Sequence, residues 1–433
     1  MEVLIVGAGA AGLMAAGAAL RAGHRVTLLE HTDRPAQKIL VTGKGRCNVT
    51  NNCTEEEYLR HVHTNPRFLY SSLAAFPPQA VMELFESLGV PLKTERGRRV
   101  FPVSDRAEDI RQALLRYADG AALVYDGAAR LLLEPLAQPQ AADAEDAAKE
   151  PSRTKKAGKN GPALRCVGAV GTSGREYRAD AVLEATGGKS YPVTGSTGDG
   201  YAFAAQAGHT IVEPVPSLVS LVSHDGDCKK MMGLSLRNVT LTLLEDGKPI
   251  FSEQGEMLFT HFGISGPLTL SASSHLGDLK KHRYIAEIDL KPALSDEQLY
   301  DRITRDFTLL AAHAAQGALV KLLPASMQPV MVERWGLDPA TRANQITREQ
   351  KQALVQLCKH WQVPVDARGD LAHAVITAGG VDVREVNPKT MQSKKAAGLY
   401  FAGEVLDVDA YTGGYNLQIA FSTAQAFAAH LGE

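Results

Sequence analysis

A glycine-rich turn near the amino terminus constrains the fold of this chain more than any other feature. Residues 4–12 read Leu-Ile-Val-Gly-Ala-Gly-Ala-Ala-Gly, an apolar strand that runs into the pattern G-x-G-x-x-G. In this pattern Gly7 allows a tight turn, Gly9 lets the backbone approach a pyrophosphate, and Gly12 lets the next helix pack closely on the sheet. The sequence therefore predicts a helix over 10–22 with a dinucleotide at its positive amino-terminal end.

The acid that follows the second predicted strand selects the nucleotide. Residues 24–29 form that strand, and Glu30 ends it. A carboxylate at this position binds a ribose 2′-hydroxyl and repels a 2′-phosphate, so we expect FAD or NAD here and not NADP. Strand, helix, second strand and acid occur in the required order, which argues against a chance glycine-rich turn.

Length, composition and charge indicate a large globular protein. The chain has 433 residues, enough for two or three domains, and 45% of them are hydrophobic. Its formal net charge of -2 gives no reason to expect nucleic acid or an anionic membrane as partner. A first strand at residue 3 and the lack of a long apolar stretch predict a cytoplasmic protein. The cysteines are scattered and odd in number, which favours reduced thiols.

One segment interrupts the regular patterns. Residues 137–162 are rich in Ala, Pro, Lys, Asp and Glu without periodicity, which predicts a mobile loop. Strand-like runs at 128–133 and 164–170 flank it, so we interpret it as the tip of a long hairpin and not as a domain boundary. The lysine cluster at 155–159 is interpreted as part of this solvated loop, with a binding patch as the alternative.

A buried type of strand follows this hairpin. Residues 179–185 are mostly apolar and lead into Thr186, Gly187 and Gly188. In a doubly wound sheet, ligands lie beyond the carboxyl ends of the strands, so this turn is expected to face the nucleotide. The alternative is that the two glycines only turn the chain.

The middle of the chain has a different character. Alternation over 238–244, a hairpin signal at 246–247, and strand candidates at 249–251 and 256–260 predict an antiparallel sheet or small barrel. From Ser295, which can cap a helix, the pattern becomes helical. Further helical segments are predicted over 317–335, broken by Pro324 and Pro329, and over 347–361. This region is interpreted as an inserted module.

Parallel-sheet character returns near the carboxyl terminus. Residues 398–404 form an apolar strand that ends in Gly403 and Glu404, and a terminal helix opens within 412–417. In FAD enzymes of the glutathione reductase-like class, such a strand meets the ribityl chain. The helix that follows stabilises negative charge at N1 and O2 of reduced flavin. A plain NAD-dependent dehydrogenase needs no such closure, so the sequence favours FAD.

Several stretches together are similar to one family. They are 7–12, 43–51, 186–192, 194–200, 255–267 and 403–417. Almost end to end, the chain resembles the bacterial HI0933-like, or aminoacetone oxidase, family of FAD-binding flavoproteins, which includes a bile-acid enone reductase. The resemblance implies an α/β fold: a discontinuous, glutathione reductase-like FAD-binding Rossmann domain with an inserted β-barrel and a helical subdomain. One departure is Ala424, where members usually carry glycine.

The expected domains follow from these patterns. They are 1–190 for the first part of the FAD-binding domain, 191–294 for a β-barrel substrate domain, 295–345 for a helical subdomain, 346–375 for a return to the barrel, and 376–433 for the closing part of the FAD-binding domain.

The motifs and the resemblance also define the residues expected at the cofactor. They are Gly7, Gly9, Ala11, Gly12, Glu30, Lys38, Gly45, Arg46, Cys47, Asn48, Asn51, Ala128, Thr186, Gly187, Gly188, Gly403, Glu404, Asp407, Gly414, Tyr415, Asn416 and Leu417. Arg46 offers a charge to the pyrophosphate or the flavin carbonyls, with a surface arginine as the alternative. No flavin-attachment motif is evident, so we expect non-covalent FAD, and His61 and His63 lack metal-ligand spacing.

Two cysteines beside this region raise the alternative of a redox dithiol. Disulfide reductases place four residues between their cysteines, whereas five separate Cys47 from Cys53. That class also needs a second dinucleotide fold, and no second strand with G-x-G-x-x-G occurs in the chain. We therefore do not expect a dithiol reductase.

Tyr191 and His261 are the candidates for proton transfer to a substrate at the flavin. Histidine titrates near neutrality, and tyrosine donates a hydrogen bond to a carbonyl. The alternatives are that His261 satisfies a turn and that Tyr191 stacks on the flavin. Met231, Met232, Phe259 and Phe262 are candidates for lining an apolar cleft, or else belong to the core.

Three functions remain open at this level. The first is hydride transfer from NAD(P)H through FAD to an activated C=C bond, such as an enone on a flat, apolar, steroid-like small molecule. The second is an oxidase that acts on a small amine or hydroxy compound and reduces oxygen. The third is a non-catalytic flavin-bound sensor or an RNA-associated flavoprotein. The nearly neutral net charge and the lack of an aromatic and basic stripe argue against RNA.

Overall fold

The computed structural model describes residues 1–136 and 162–432. The chain forms two compact units, which are unit 1 (1–215 and 376–433) and unit 2 (216–375). The mobile loop and the lysine cluster expected within 137–162 lie almost wholly outside the described residues. Residues 191–215, assigned to the substrate domain on sequence, group with unit 1, because the strand formed by Ile211–Ser217 pairs with a strand at Ile376–Val381.

Unit 1 begins with alternating strands and helices from β1 to α3, whereas most strands of unit 2 precede its helices. The strands are β1 (Glu2–Val6), β2 (Arg25–Glu30), β3 (Thr50–Asn51), β4 (Leu92–Thr94), β5 (Arg99–Pro102), β6 (Ala122–Tyr125), β7 (Ala128–Pro135), β8 (Leu164–Gly171), β9 (Glu176–Arg178), β10 (Ala181–Glu184), β11 (Ile211–Ser217), β12 (Leu221–Val222), β13 (Ser235–Glu245), β14 (Lys248–Thr260), β15 (Gly263–Ser265), β16 (Tyr284–Asp289), β17 (Trp361–Val365), β18 (Ala367–Arg368), β19 (Ile376–Val381), β20 (Ala396–Ala397) and β21 (Leu399–Phe401). The α-helices are α1 (Ala10–Arg21), α2 (Gln37–Val41), α3 (Glu55–Arg60), α4 (Tyr70–Ala75), α5 (Pro78–Ser87), α6 (Ala107–Tyr117), α7 (Asp199–Gln206), α8 (Gly226–Lys230), α9 (Pro267–Ser273), α10 (Asp296–Leu309), α11 (Ala315–Ala318), α12 (Gln328–Trp335), α13 (Arg348–Lys359) and α14 (Tyr415–Ala429).

A five-stranded parallel sheet forms the centre of unit 1. Its order is β21-β10-β1-β2-β6, and every neighbouring pair is parallel. These strands are short apolar runs, and β1 and β10 are almost completely buried, as expected for a sheet covered on both faces. The strand order confirms the doubly wound arrangement, because β10 and β21 lie on the opposite side of β1 from β2.

Two glycines of the first turn are required by close packing. Gly7 adopts a φ of 99°, which a residue with a side chain rarely adopts. A Cβ atom on Gly12 would lie 1.8 Å from the carbonyl oxygen of Gly7, so only glycine lets α1 approach the turn. A Cβ atom on Gly9 would meet no atom within 4 Å, which leaves open space beside the backbone. The roles of Gly7 and Gly12 are those predicted.

The carboxyl-terminal helix belongs to the same core. Helix α14 packs against α1, and most of its residues are buried. A Cβ atom on Gly403 would lie 2.9 Å from the Cβ of Ala11, so the turn after β21 also lies directly on α1. Ala424, the departure from the family pattern, is fully buried in this helix, and the packing accommodates its methyl group.

Three smaller sheets complete the described part of unit 1, and one of them is the pair β11 and β19. Strands β7 and β8 form the predicted hairpin, with Ala128 opposite Gly171 and Pro135 opposite Leu164. Strand β5 pairs with both β3 and β4 in a three-stranded antiparallel sheet. None of the helices within 1–136 and 162–432 is long and apolar enough to cross a membrane.

Unit 2 is built on a seven-stranded antiparallel sheet in the order β17-β16-β13-β14-β15-β12-β18. The turn between β13 and β14 has positive φ at Asp246 and Gly247 (49° and 81°), which agrees with the predicted hairpin signal. The two strand candidates at 249–251 and 256–260 belong to the single long strand β14. Their separation on sequence was wrong, because the polar residues between them also have extended backbone.

Helices cover part of this sheet. Ser295 caps α10 as expected, and Gln298 completes the capping box. Pro329 does not break a helix, since it lies in the first turn of α12, where its missing N–H costs nothing. The last predicted helix, over 347–361, ends at Lys359 as α13, and Trp361 instead begins strand β17.

Candidate functional site

Four strand ends of unit 1 meet at one edge of the parallel sheet. Val6 lies beside Leu29 on one side and Glu184 on the other, and Glu184 lies beside Phe401. The turns after β1, β10 and β21 and the acid at the end of β2 therefore share this edge. The gap between β1 and β10 is the point where the strand order reverses, which is where nucleotides bind in such sheets.

Glu30 is fixed at this edge by three hydrogen bonds. Its Oε2 accepts the backbone N–H of Ala8 at 3.0 Å. Its Oε1 accepts the backbone N–H and the hydroxyl of Thr32, both at 2.8 Å. The carboxylate is thus tied to the glycine-rich turn itself, at the position from which a ribose hydroxyl is bound in dinucleotide sites.

The amino terminus of α1 lacks an internal partner for its N–H groups. Gly9 is the N-cap residue, no side chain in 1–136 or 162–432 caps the helix, and no acidic residue lies in its first turn. These N–H groups and the positive end of the helix dipole remain free to bind an anion. Together with the open space beside Gly9, they fit a pyrophosphate.

Helix α14 presents a second uncapped amino terminus. Gly414 is its N-cap residue, with a φ of 94°, and no side chain from the described part of the chain caps the first turn. A Cβ atom on Gly414 would lie 2.4 Å from the backbone of Thr50, so this position requires glycine. Asn416 bonds the backbone N–H and carbonyl of Ala410 and thereby holds the loop that precedes the helix.

Tyr415 anchors the beginning of the same helix. Its ring stacks on His61 at 4.7 Å and meets the edge of Tyr58 at 5.2 Å. The hydroxyl of Tyr58 also donates to the carbonyl of Tyr415 at 2.5 Å. Leu417 follows in the first turn. These contacts fix the direction of α14 from its first residues.

A polar network connects three of the turns at the sheet edge. The ammonium of Lys38 donates to Glu404 Oε2 at 2.8 Å and to the hydroxyl of Ser190 at 2.6 Å. Glu404 Oε1 also accepts the N–H of Thr377 at 2.8 Å. The hydroxyl of Thr377 accepts the N–H groups of Lys189 and Ser190. Sequence reasoning found Lys38 and Glu404 but missed Thr377, which belongs to no local motif.

Several buried polar atoms of unit 1 have no hydrogen-bond partner among the described residues, and besides those of the acid Glu184 they include an amide oxygen and a hydroxyl among the expected cofactor residues. Asn48 Oδ1 and Thr186 Oγ1 are buried and have no hydrogen-bond partner within residues 1–136 and 162–432. Buried polar atoms are normally paired, so unpaired ones are expected where a ligand binds. A flavin offers both donors and acceptors to such atoms. The residues present therefore fit FAD.

Other expected cofactor residues serve the protein itself in this structure. Arg46 bonds Asp105 at 2.7 Å, pairs with Glu95, and stacks on the ring of Phe101. Asn51 donates from Nδ2 to the carbonyls of Gly97 and Gly413, each at 3.1 Å. Their contact with FAD remains a prediction.

Asp407 and the remaining cofactor candidates surround these turns. Asp407 accepts a hydrogen bond from Asn65 at 3.0 Å, while burial and the nearby Asp409 raise its pKa. Ala128 begins β7, three residues after the end of β6. Gly45, Gly187 and Gly188 lie in turns, and a Cβ atom on Gly188 would collide with the Thr377 hydroxyl.

The two neighbouring thiols have the properties of structural cysteines. Burial raises the pKa of Cys47 to about 12 and that of Cys53 to about 11. A thiol must ionise to attack a disulfide, so neither residue is activated for dithiol chemistry.

The two candidates for proton transfer lie in different units. Tyr191 belongs to unit 1 and adopts a φ of 56°, an uncommon conformation that often marks functional positions. His261 belongs to unit 2, where it is exposed and meets the edge of Phe262. Of the four cleft candidates, Met231 and Phe259 are core residues, whereas Met232 and Phe262 are exposed.

The whole chain matches known proteins. The model of the HI0933-like protein Rossmann domain matches residues 1–129 and 153–430. A 3-dehydro-bile acid delta(4,6)-reductase from Clostridium scindens is 30% identical over 97% of this chain and 96% of its own length. A ribosomal RNA dihydrouridine synthase from Haemophilus influenzae is 31% identical over 99% and 97% of the two chains. Its counterpart from Escherichia coli is 30% identical over 99% and 98%.

Proposed function

Because this chain belongs to the HI0933-like family and has the fold of a discontinuous FAD-binding Rossmann domain, we propose that it is a FAD-dependent reductase. In this proposal NAD(P)H donates hydride, and the acceptor is a C=C bond conjugated with a carbonyl. The observation that best supports FAD as the cofactor is the pair of uncapped helix amino termini, on α1 and α14, together with the fixed carboxylate of Glu30.

The acceptor chemistry rests on what two kinds of relative have in common. A delta(4,6)-reductase of a 3-dehydro-bile acid and a dihydrouridine synthase act, by their names, on very different molecules. In each case hydrogen adds to a C=C bond that is conjugated with a carbonyl, on a steroid ring in one and on uracil in the other. A reductase of conjugated C=C bonds is therefore the function that both relatives support.

Each element of the site has a role in this proposal. FAD, when bound, would accept hydride and pass it to the substrate. The N–H groups of α1 would bind the pyrophosphate, and Glu30 would bind the adenosine ribose. The positive end of α14 would favour negative charge on a flavin bound beside it. Lys38 compensates the charge of Glu404, so that this carboxylate does not oppose that effect.

Tyr191 and His261 are proposed to act on the substrate. Hydride addition to an enone places negative charge on the carbonyl oxygen, which a hydrogen-bond donor stabilises. Tyr191→Phe and His261→Ala should each slow flavin reoxidation by an enone while leaving FAD content and reduction by NADPH intact. Unchanged reoxidation in both variants would remove both residues from the mechanism.

The substrate is proposed to be a flat, apolar small molecule, and the protein to work in the cytoplasm without a nucleic-acid partner. The two ribosomal RNA dihydrouridine synthases make a uracil base in RNA the second candidate, since they match this chain as well as the bile-acid reductase does.

Anaerobic flavin spectroscopy tests the proposal. The purified protein is reduced with NADPH or NADH, and an acceptor is then added: a steroid enone, its saturated ketone, uridine-containing ribosomal RNA, or air. We expect rapid reoxidation by the enone and none by the saturated ketone. Reoxidation by RNA alone would establish the second candidate. Reoxidation by air at a rate sufficient for turnover, without reaction with either C=C substrate, would instead establish an oxidase.

A further inference from the structure

The proposed electron donor needs a binding place outside the dinucleotide fold. In the proposed function FAD would occupy the only G-x-G-x-x-G turn that follows a strand in this sequence, and Glu30 would repel a 2′-phosphate there. A second nucleotide must therefore be recognised by side chains elsewhere. This inference rests on the proposed function, since it concerns the donor of the same reaction.

A basic hairpin of unit 1 lies beside the expected flavin edge. Strands β4 and β5 are joined by a tip in which Gly97 and Arg98 have positive φ, 74° and 57°. Asn51 Nδ2 donates to the carbonyl of Gly97 at 3.1 Å and to the carbonyl of Gly413 at 3.1 Å. Gly413 directly precedes the N-cap of α14. The tip is thus fixed next to the loop from which α14 begins.

Most basic side chains of this region are neutralised by carboxylates. Lys93 bonds Asp105 at 2.7 Å, and Arg46 pairs with both Asp105 and Glu95. Arg98, in the turn of the hairpin, forms an ion pair with Glu57. The carboxylates of the hairpin and of helix α3 thus compensate the charges around the tip.

Arg96 and Arg99 are the exception. Both are exposed, and neither has a carboxylate partner in the part of the chain that the structure describes. Arg99 Nε donates to the carbonyl of Arg96 at 3.1 Å, and its guanidinium lies 5.8 Å from the ring of Phe101. Two uncompensated guanidinium groups are therefore held at the same end of the hairpin, with Arg96 in the connecting turn and Arg99 at the start of β5.

We propose that Arg96 and Arg99 bind the 2′-phosphate of NADPH when it reaches the flavin, and that the donor is therefore NADPH and not NADH. A phosphate monoester carries a charge of about −1.5 to −2 at neutral pH, which two guanidinium groups match. Arginine also binds phosphate oxygens with directed, charge-assisted hydrogen bonds. A phosphodiester of RNA carries a single charge and matches the pair less well.

Binding to the FAD-loaded protein tests the site without any turnover. Adenosine 2′,5′-bisphosphate and adenosine 5′-monophosphate differ only in the 2′-phosphate, and their affinities are measured by calorimetry. We expect the bisphosphate to bind at least about tenfold more tightly to the unmodified protein. Arg96→Gln and Arg99→Gln should each weaken its binding by about 10- to 100-fold, with little effect on the monophosphate.

Two other exposed arginines of unit 1 supply the matched control. Arg116 and Arg130 lie on α6 and β7, and the Arg116→Gln/Arg130→Gln double variant removes the same charge as Arg96→Gln/Arg99→Gln. The control should retain the affinity for the bisphosphate. In stopped-flow reduction, the Arg96→Gln/Arg99→Gln variant should need more NADPH for half-maximal rate, while its maximal rate and its reduction by NADH are unchanged.

The outcomes separate this inference from the proposed function. Equal affinity for the two adenosine phosphates, or equal loss in the control variant, overturns the inference and leaves the flavin chemistry standing. Tight bisphosphate binding that depends on Arg96 and Arg99 supports it, even where no enone reoxidises the flavin. If Arg96→Gln and Arg99→Gln weaken the binding of RNA but not of the bisphosphate, the two arginines bind a polyanion such as RNA, and the inference is overturned.

Discussion

Two glutamates end the strands on either side of β1, and their surroundings are opposite. Glu30, at the end of β2, is 7% exposed and accepts three hydrogen bonds from Ala8 and Thr32. Glu184, at the end of β10, is completely buried, and neither of its carboxylate oxygens has a hydrogen-bond partner among the described residues. The same residue type at neighbouring strand ends is thus bonded in one case and isolated in the other.

The different hydrogen bonding of the two carboxylates indicates different roles: Glu30 is suited to bind a ligand, whereas Glu184 is a buried acid. The bonds to Glu30 orient its carboxylate while leaving it partly accessible to a ribose. Burial raises the pKa of Glu184 to about 8, and the charge of Asp199 adds to this effect. Glu184 is therefore protonated at neutral pH, because no cationic group among the described residues compensates its negative charge. We expect the first glutamate to affect ligand binding and the second to affect stability.

The largest expected effect tests which side of β1 holds the nucleotide. Gly9→Val places a branched side chain in the open space next to Ala8, where the pyrophosphate would bind. The purified variant should lack FAD, as measured by flavin absorbance, while its circular dichroism spectrum stays native. Gly12→Ala is the contrasting variant, because its methyl group would collide with the carbonyl of Gly7 and disturb the fold itself. A yellow Gly9→Val protein would show that the nucleotide is not on the Glu30 side.

The second prediction concerns stability against pH. Between the unfolded pKa of Glu184, 4.5, and its folded pKa of about 8, the native state keeps a proton that the unfolded state loses. Stability therefore falls as the pH rises through this window, by on the order of 4 kcal/mol. In urea unfolding, Glu184→Gln should match the unmodified protein at pH 5 and exceed it at pH 8. A constant difference at both pH values would contradict a neutral buried acid.

The sequence predicted Glu30 but not the state of Glu184, and the reason is physical. Glu30 belongs to a pattern whose spacing is set by one strand, one turn and one helix. Gly7, the turn at 246–247 and the cap at Ser295 were predictable for the same reason, since each depends on neighbours a few residues away. The isolation of Glu184 depends on what the rest of unit 1 places around it.

The polar network at the site was only partly predictable for that reason. The ammonium of Lys38 and the carboxylate of Glu404 are 366 positions apart in sequence, yet they bond at 2.8 Å. Thr377 joins them from the strand by which the chain returns to unit 1. No sequence periodicity or spacing indicates that these residues are neighbours. They come together only when the strands of the parallel sheet have assembled. The resemblance to a family implied Glu404, Lys38 was among the residues expected at the cofactor, and Thr377 was not predicted.

The third prediction measures the binding role of Glu30 directly. Glu30→Ala removes a charge-assisted contact with the ribose and should weaken FAD binding by about 1.5 to 3 kcal/mol, or about 10- to 100-fold in Kd. Reconstitution of the apoprotein, followed by quenching of flavin fluorescence, gives the affinity. Glu184→Gln is the matched control, because it changes a glutamate at the neighbouring strand end and should leave the Kd at pH 6 unchanged. Equal losses in the two variants would remove the distinction between the two glutamates.

The smallest expected effect concerns the hydrogen bonds that orient Glu30, and it tests whether they contribute to FAD affinity in addition to the charge of the carboxylate. The hydroxyl and the backbone N–H of Thr32 both bond Oε1, so Thr32→Val removes one of the two and leaves the carboxylate less firmly oriented. We expect FAD binding to weaken by about 0.5 to 1.5 kcal/mol, the net value of one such bond. Thr32→Ser keeps the hydroxyl and should restore most of the affinity in the same fluorescence titration. If the serine and valine variants bind FAD equally, the orientation of Glu30 comes from Ala8 and the backbone alone, and its contrast with Glu184 reduces to exposure.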